Sequence, residues 1–293
     1  DLLSSVGAFV LVWLITVLPT GAQQLSSARP GEAPYVVPRI DEGSIVLDGR
    51  MDEPAWQAIE PLPTTMHLPT FGAPPSERTE FRLAYDAEYL YFSCQAYDSD
   101  VDGIRMYSFE RDERSFRSDF CSIYIDTLND EENALQFKTS PAGNRTDSHR
   151  SNDGEGSSNG SWDAFWDVAV FRDGRGWYTE MRIPFSTIRY GSGAEQVWGL
   201  NLMRYIRRRN EQVVWSPVPR QFGFLRLTEA GVIEGLQPPP RRVTTVTPYV
   251  LGAAQRVPRV DPDVTFPRET GVDAKIGITP ALELDLIVNT DFA

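Results

Sequence analysis

The chain has 293 residues, with 41% hydrophobic residues, a composition ordinary for one or two folded domains. Its net charge of −13 excludes the basic face that nucleic acid or anionic lipid requires. Two histidines, His67 and His149, exclude a histidine-rich metal centre, and Cys94 and Cys121 form no CxxC pair.

Val6 to Leu18 is apolar apart from Gly7 and Thr16, which is short of the roughly 20 residues that cross a bilayer. Pro19 and the small residues Thr20-Gly21-Ala22 follow, as in a secretory signal peptide over residues 1–22 that lacks its basic start. A single membrane anchor is the alternative. The chain starts at Asp1 and stops inside a strand-like pattern, so we expect a fragment. Residues 23–38 read as a polar, proline-containing linker.

Folded structure is expected from about Ile40. Asp48-Gly49 signals a turn, and Asp52 is positioned to cap a short helix with Ala55, Trp56 and Ile59 facing inward. Trp56 is therefore expected in the core. Strand patterns follow at Glu80 to Tyr85, at Leu90, Phe92, Cys94 and Ala96, at Cys121, Ile123 and Ile125, and at Trp166, Val168 and Val170. Both cysteines point to apolar faces; two buried free thiols are expected, a disulfide being the alternative in an exported protein.

Thr139 to Ser161 is polar throughout and reads as a long exposed loop. Its Asp147, Asp153 and Glu155 offer oxygen ligands for Ca²⁺, but their spacing fits no calcium motif, and no cofactor is otherwise expected.

The strongest pattern is Gly176 to Trp215. Trp177, Thr179, Met181 and Ile183 alternate with Tyr178, Glu180 and Arg182 until Pro184 ends the strand. After Gly191-Ser192-Gly193, Trp198, Leu200, Leu202 and Ile206 share a face on which Arg204 intrudes, with Asn201, Met203 and Tyr205 opposite. Val213 and Trp215 form a further short strand, and Phe224 to Leu227 the last. Many short strands with little helix predict an all-β, antiparallel β-sandwich over residues 39–238.

Gln237 to Arg242 is a stiff, proline-rich break. Beyond it, Val272 to Thr279 and Leu282 to Leu286 alternate strictly between apolar and polar residues, which suits the first strands of an outer-membrane β-barrel over residues 239–293; a soluble hairpin is the alternative.

LDGRMDEPAW, LAYDAEYLYFSCQAYD, SDFCSIYIDT, GWYTEMRIPFSTIRY and VWGLNLMRYIRRRNEQVVW, in this order, resemble a family 9 carbohydrate-binding module. More closely, they resemble the version at the N-terminus of large bacterial outer-membrane proteins, where the module precedes a β-barrel; TPYVLGA and GVDAKIGITPALELDLIVNTDFA look like the beginning of one. The resemblance implies a non-catalytic sandwich that binds saccharide or polysaccharide ends, in an exported protein of the outer membrane. No catalytic residues carry over.

Sugar recognition needs a flat aromatic face for the C–H face of a pyranose and fixed polar groups for its hydroxyls. Trp215, following the Asn210-Glu211 turn, matches a family tryptophan; a core position beside Val213 is the other reading. Trp162 sits at the edge of the polar loop, as platform or packing residue. Arg204 either binds ligand or pairs structurally with Glu180 or Asp126. Asn201 can meet sugar hydroxyls, and Glu211 and Arg111 complete the candidate set. Arg111-Asp112 and Asp119 resemble an RD…DD stretch of the family, with Ser118 in place of the first paired acid. Two other functions compete: a glycoside hydrolase, which needs two carboxylates about 5 to 9.5 Å apart in one cleft, and a structural periplasmic domain without sugar binding.

Overall fold

The computed structural model describes residues 33–113, 115–156, 158–239, 244–252, 255–257, 261–265, 268–279 and 282–288. The signal-peptide segment and most of the expected linker lie outside these residues.

In chain order, β1 (Tyr35–Val36) is followed by α1 (Pro54–Gln57), β2 (Thr65–Leu68), β3 (Thr79–Tyr85), β4 (Tyr89–Tyr97), β5 (Phe120–Asp126) and β6 (Ala134–Thr139). Then come β7 (Arg145–Arg150), β8 (Asp167–Asp173), β9 (Gly176–Pro184), β10 (Gln196–Ile206), β11 (Glu211–Trp215) and β12 (Gly231–Leu236). Two sheets result. The smaller runs β3-β4-β9-β8, all antiparallel; the larger runs β1-β12-β10-β5-β6-β7, with β11 joining β10 to β2. β10 is long enough to serve two partners on one side, β12 along Gln196–Leu200 and β11 along Leu202–Ile206.

The inward faces are those the alternation marks. Phe81, Leu83, Phe92, Trp177, Met181 and Ile183 from the small sheet meet Ile123, Ile125, Phe137, Trp198, Leu200 and Leu202 from the large one in a single core. Trp166 is buried there as well, and Trp198 is fully covered.

The outer face of the small sheet is closed too. The segment before β2 folds back over it, so that Ile45, Met51, Trp56 and Ile59 pack on Ala84, Tyr91 and Tyr178. Gly49 makes this possible: its φ is +85°, and a side chain there would strike the backbone of Val170 and Phe171. Trp56 is core as expected. Its helix is one turn, with Glu53 rather than Asp52 at the N-cap position and no side-chain capping bond from it.

Several expectations need correction. The free-thiol reading fails: Cys94 on β4 and Cys121 on β5 form a disulfide between the two sheets, their Cα atoms 6.6 Å apart. Alternation set both on inward faces, but only the stacking of the sheets brings them opposite each other. The polar stretch Thr139 to Ser161 is not one exposed loop, because it contains β7, whose Thr146, Asp147 and Ser148 are buried. A strand with polar residues on both faces gives no hydrophobic period. Phe224 to Leu227 is not a strand; it crosses the outside of the large sheet, and β12 is the true last strand. The fold also begins before Ile40, since Tyr35–Val36 within the expected linker pairs in parallel with β12.

Beyond the break lie β13 (Thr244–Gly252), β14 (Gln255–Val257), β15 (Asp261–Thr265), β16 (Arg268–Thr279) and β17 (Leu282–Val288). The two alternating segments are thus strands. β13, β16 and β17 form an antiparallel sheet, and its register sets the exposed Val246, Val250, Val272, Leu284 and Leu286 on one face. No helix among the described residues is long and apolar enough to cross a membrane, which leaves the question of a β-barrel untouched.

Candidate functional site

With the small sheet covered on both sides, the open sheet face of the sandwich is the outer one of the large sheet. Register builds it in rows. Ser148, Gln136, Tyr124 and Asn201 stand opposite one another on β7, β6, β5 and β10, and Thr146, Lys138, Ser122 and Met203 form the next row. Side chains two apart on a strand share a face, so every one of these points away from the core. The segment from Arg220 to Arg226 and the loop at Phe116 complete its lining, enclosing a cleft of about 490 Å³.

The cleft floor is hydrogen-bonded across strands. Gln136 Nε2 donates to Tyr124 Oη at 2.7 Å, and Ser148 Oγ and Arg150 Nη2 donate to Gln136 Oε1 at 3.0 and 3.3 Å. Burial pushes the Tyr124 hydroxyl up to about 12, so it stays protonated at neutral pH. Its walls are aromatic. Phe224 packs edge-on against Tyr124 at 5.2 Å and against His67 at 6.4 Å; the exposed Phe116 packs on Phe120 and Tyr205, each at 5.5 Å. Lys138 lies over the Phe120 ring, and Arg226 over Phe222. Buried polar atoms remain without protein partners here: Asn201 Oδ1, Arg150 Nε and His67 Nδ1. Apolar rings beside unsatisfied, rigidly held polar groups are what a small polar ligand with an apolar face requires.

Of the sequence-derived sugar-binding candidates none lines the cleft; Asn201 comes nearest, buried beside Tyr124 where its Nδ2 donates to the Phe224 carbonyl at 3.2 Å. Trp215 is buried in the core, edge-on to Tyr35 at 6.2 Å, and lines a separate cavity of about 360 Å³ with Pro34, Pro63 and Thr65; the two cavities share no lining residue. Trp162 is half-buried and packs on Phe137 at 5.9 Å, on the core side of β6. Arg111 ties this loop down, pairing with Asp147 at 2.8 Å and with Asp163. Arg111 and Trp162 therefore share one neighbourhood, away from the cleft. Glu211 is buried and accepts from the Ser76 N–H at 2.9 Å.

Arg204 is fully buried, and the partners expected for it are wrong. It donates to Thr79 Oγ1 at 2.9 Å and to the Arg78 carbonyl at 3.1 Å, with Asp98 at 3.4 Å. Burial lowers its guanidinium to about 10, against the pull of Asp98, leaving it charged at neutral pH. Glu180 instead accepts from Trp56, Gly49 and Asp48, and Asp126 from the backbone N–H groups of Leu128, Asp130 and Glu131.

The Ca²⁺ candidates do not converge. Asp147 accepts from Ala164 N–H and Trp166 Nε1, while Asp153 and Glu155 hold Arg226 at 3.1 and 3.0 Å. Among the described residues no group of three metal-ligating side chains forms.

The two-sheet sandwich thus has one covered sheet and one open, aromatic-walled face. The chain belongs to the family described as Carbohydrate family 9 binding domain-like, whose profile matches residues 47–216. Its likeness to solved structures is one of fold. A family 9 carbohydrate-binding module from Caldicellulosiruptor kristjanssonii, in complex with cellotriose, is 16% identical, with 71% of this chain and 95% of that one covered and a TM-score of 0.46. Its glucose complex gives 17%, 69% and 96%, and 0.45. A crystal structure of a candidate carbohydrate-binding protein from Bacteroides uniformis is 13% identical, covers 69% of this chain and 98% of that one, and has a TM-score of 0.54, a likeness of fold. No curated protein sequence matches the chain.

Proposed function

We propose that this chain is the non-catalytic, saccharide-binding part of an exported outer-membrane protein, and that it captures polysaccharide in the cleft on the outer face of its large sheet. The observation that carries the reading is the juxtaposition of the Gln136–Tyr124 network and the unsatisfied Arg150 Nε with the rings of Phe116, Phe222 and Phe224, all of which line the cleft. Family membership supports it, and the modules from Caldicellulosiruptor kristjanssonii were solved with cellotriose and with glucose. Glu155 is the one carboxylate among the described residues lining the cleft, and Arg226 neutralises it, an arrangement suited to binding rather than to paired-acid hydrolysis.

The outer-membrane part of the reading draws on the apolar face of the β13–β16–β17 sheet, which exposes Val250 and Leu286 and needs a lipid or protein cover. An exported setting also suits the inter-sheet disulfide.

The test is isothermal titration of the chain with cello-, xylo- and manno-oligosaccharides, alongside a reducing-sugar assay. Binding that is lost in Tyr124→Ala and kept in Trp215→Phe supports the cleft. Failure to bind any saccharide overturns the proposal in favour of a structural domain, and sugar release overturns its non-catalytic part.

A further inference from the structure

We infer that a cluster of arginines beside the cleft is a subsite for a carboxylate, so that the ligand is an acidic, uronate-bearing oligosaccharide; this rests on the cleft being the saccharide site. Arg105, Arg117, Arg207 and Arg208 line one open hollow of about 410 Å³. The concentration is notable in a chain of net charge −13, where self-repulsion among cations has to be offset locally.

Among the described residues Arg208 is the one of the four in an ion pair, while Glu113 acts on Arg117 at longer range. Arg208 pairs with Asp98 at 2.5 Å and with Glu77 at 2.8 Å. Arg207 Nη1 donates to Asn210 Oδ1 at 2.6 Å, and Arg117 donates to the Tyr107 hydroxyl and lies over that ring. Among the described residues, no carboxylate lies within ion-pair distance of Arg105, Arg117 or Arg207.

The hollow is built rather than incidental. Asp119 is fully buried, and its Oδ1 accepts from the backbone N–H of Arg207 at 3.1 Å and of Arg105 at 3.4 Å. Its own N–H donates to the Arg105 carbonyl at 2.9 Å. One carboxylate therefore pins three separate stretches of chain so that their guanidiniums converge. It is a positioning residue, since it reaches no ligand itself.

Continuity with the cleft argues for a sugar acid over a free ion. Phe116 lines the cleft and the next residue, Arg117, lines the hollow; Tyr205, packed on Phe116 at 5.5 Å, precedes Arg207 by two positions on the same stretch. A saccharide whose rings lie along the cleft aromatics would present a neighbouring residue to the arginines. The planar fork of a guanidinium matches a carboxylate in two parallel hydrogen bonds and stays charged over the whole physiological range.

The experiment titrates the full chain with tri-galacturonate, a trimeric alginate fragment and a glucuronic-acid-substituted xylo-oligosaccharide, each against its carboxyl-reduced counterpart, in low salt and in about 0.5 M NaCl. At least one acid should bind about tenfold or more tighter than its reduced form, an advantage that high salt largely abolishes. Arg117→Gln with Arg207→Gln should remove the advantage while leaving the affinity of the reduced sugar unchanged; the Lys pair, keeping charge without the fork, should restore part of it. Equal binding of acid and reduced forms overturns this inference and leaves the cleft reading standing, as does an acid preference that survives both substitutions. No binding of either form overturns both.

Discussion

Glu180 lies on a strand face that the sequence marks as polar, yet it is completely buried, accepting from Trp56 Nε1 and Gly49 N–H at 2.6 Å each and from Asp48 N–H at 3.1 Å. Burial raises its carboxyl from 4.5 to about 7. Between those values the folded chain holds a proton that the unfolded chain has released, so stability falls as pH rises through this window. Asp119 and Asp126, raised by burial to about 6, act in the same direction. We expect the urea midpoint at pH 8 to lie below that at pH 5, and Glu180→Gln to flatten the slope while lowering stability at pH 5, because its NH₂ group would confront N–H donors. A midpoint independent of pH from 5 to 8 would contradict this assignment. In the cleft, Gln136→Ala removes the acceptor of Ser148 and Arg150 and the donor to Tyr124; each lost bond to a bound sugar is worth about 0.5–1.5 kcal/mol. Saccharide affinity should drop roughly five- to tenfold in titration, with circular dichroism unchanged.

Strands with one apolar face were legible: β3, β4, β5, β9 and β10 lie where alternation places them. β6 and β7 were not, and they carry half of the cleft floor. In ALQFKT the alternation of Gln136 and Lys138 with Leu135 and Phe137 was present in six residues, the one signal that could have marked the site. β7 offered none, since Asp147 is buried by bonding to Trp166 and Ala164 rather than by being apolar. Tryptophans drew the sequence reading toward Trp215 and Trp162, because residue type reveals aromatic area but not the side of the sheet on which it lies. The pairing of Cys94 with Cys121 was equally hidden, being a property of how two sheets stack. That bridge joins β4 to β5 and closes a loop 27 residues in sequence separation. Replacing both cysteines by alanine should cost about 2–4 kcal/mol in denaturant unfolding; an unchanged midpoint would show that the core alone holds the sheets together.

For the whole molecule, two kinds of surface coexist. The sandwich buries its core between and beneath its sheets and leaves scattered rings such as Phe109, Phe116 and Phe165 exposed, whereas the β13–β16–β17 sheet turns a continuous row of apolar residues outward. In detergent phase separation the chain should enter the detergent phase and residues 33–238, which keep β1, the aqueous phase, and Val250→Asp with Leu286→Asp should shift the chain toward water. Partition of the unaltered chain into water would count against the membrane reading. One detail of the sandwich reaches further. β1 and β12 are adjacent parallel strands at one edge, with Tyr35 opposite Ile233, so the polypeptide comes in at one end of the pair and goes out at the other. Tension between the two flanks then pulls the two strands along their length in opposite senses, so that their few hydrogen bonds carry the load together in shear.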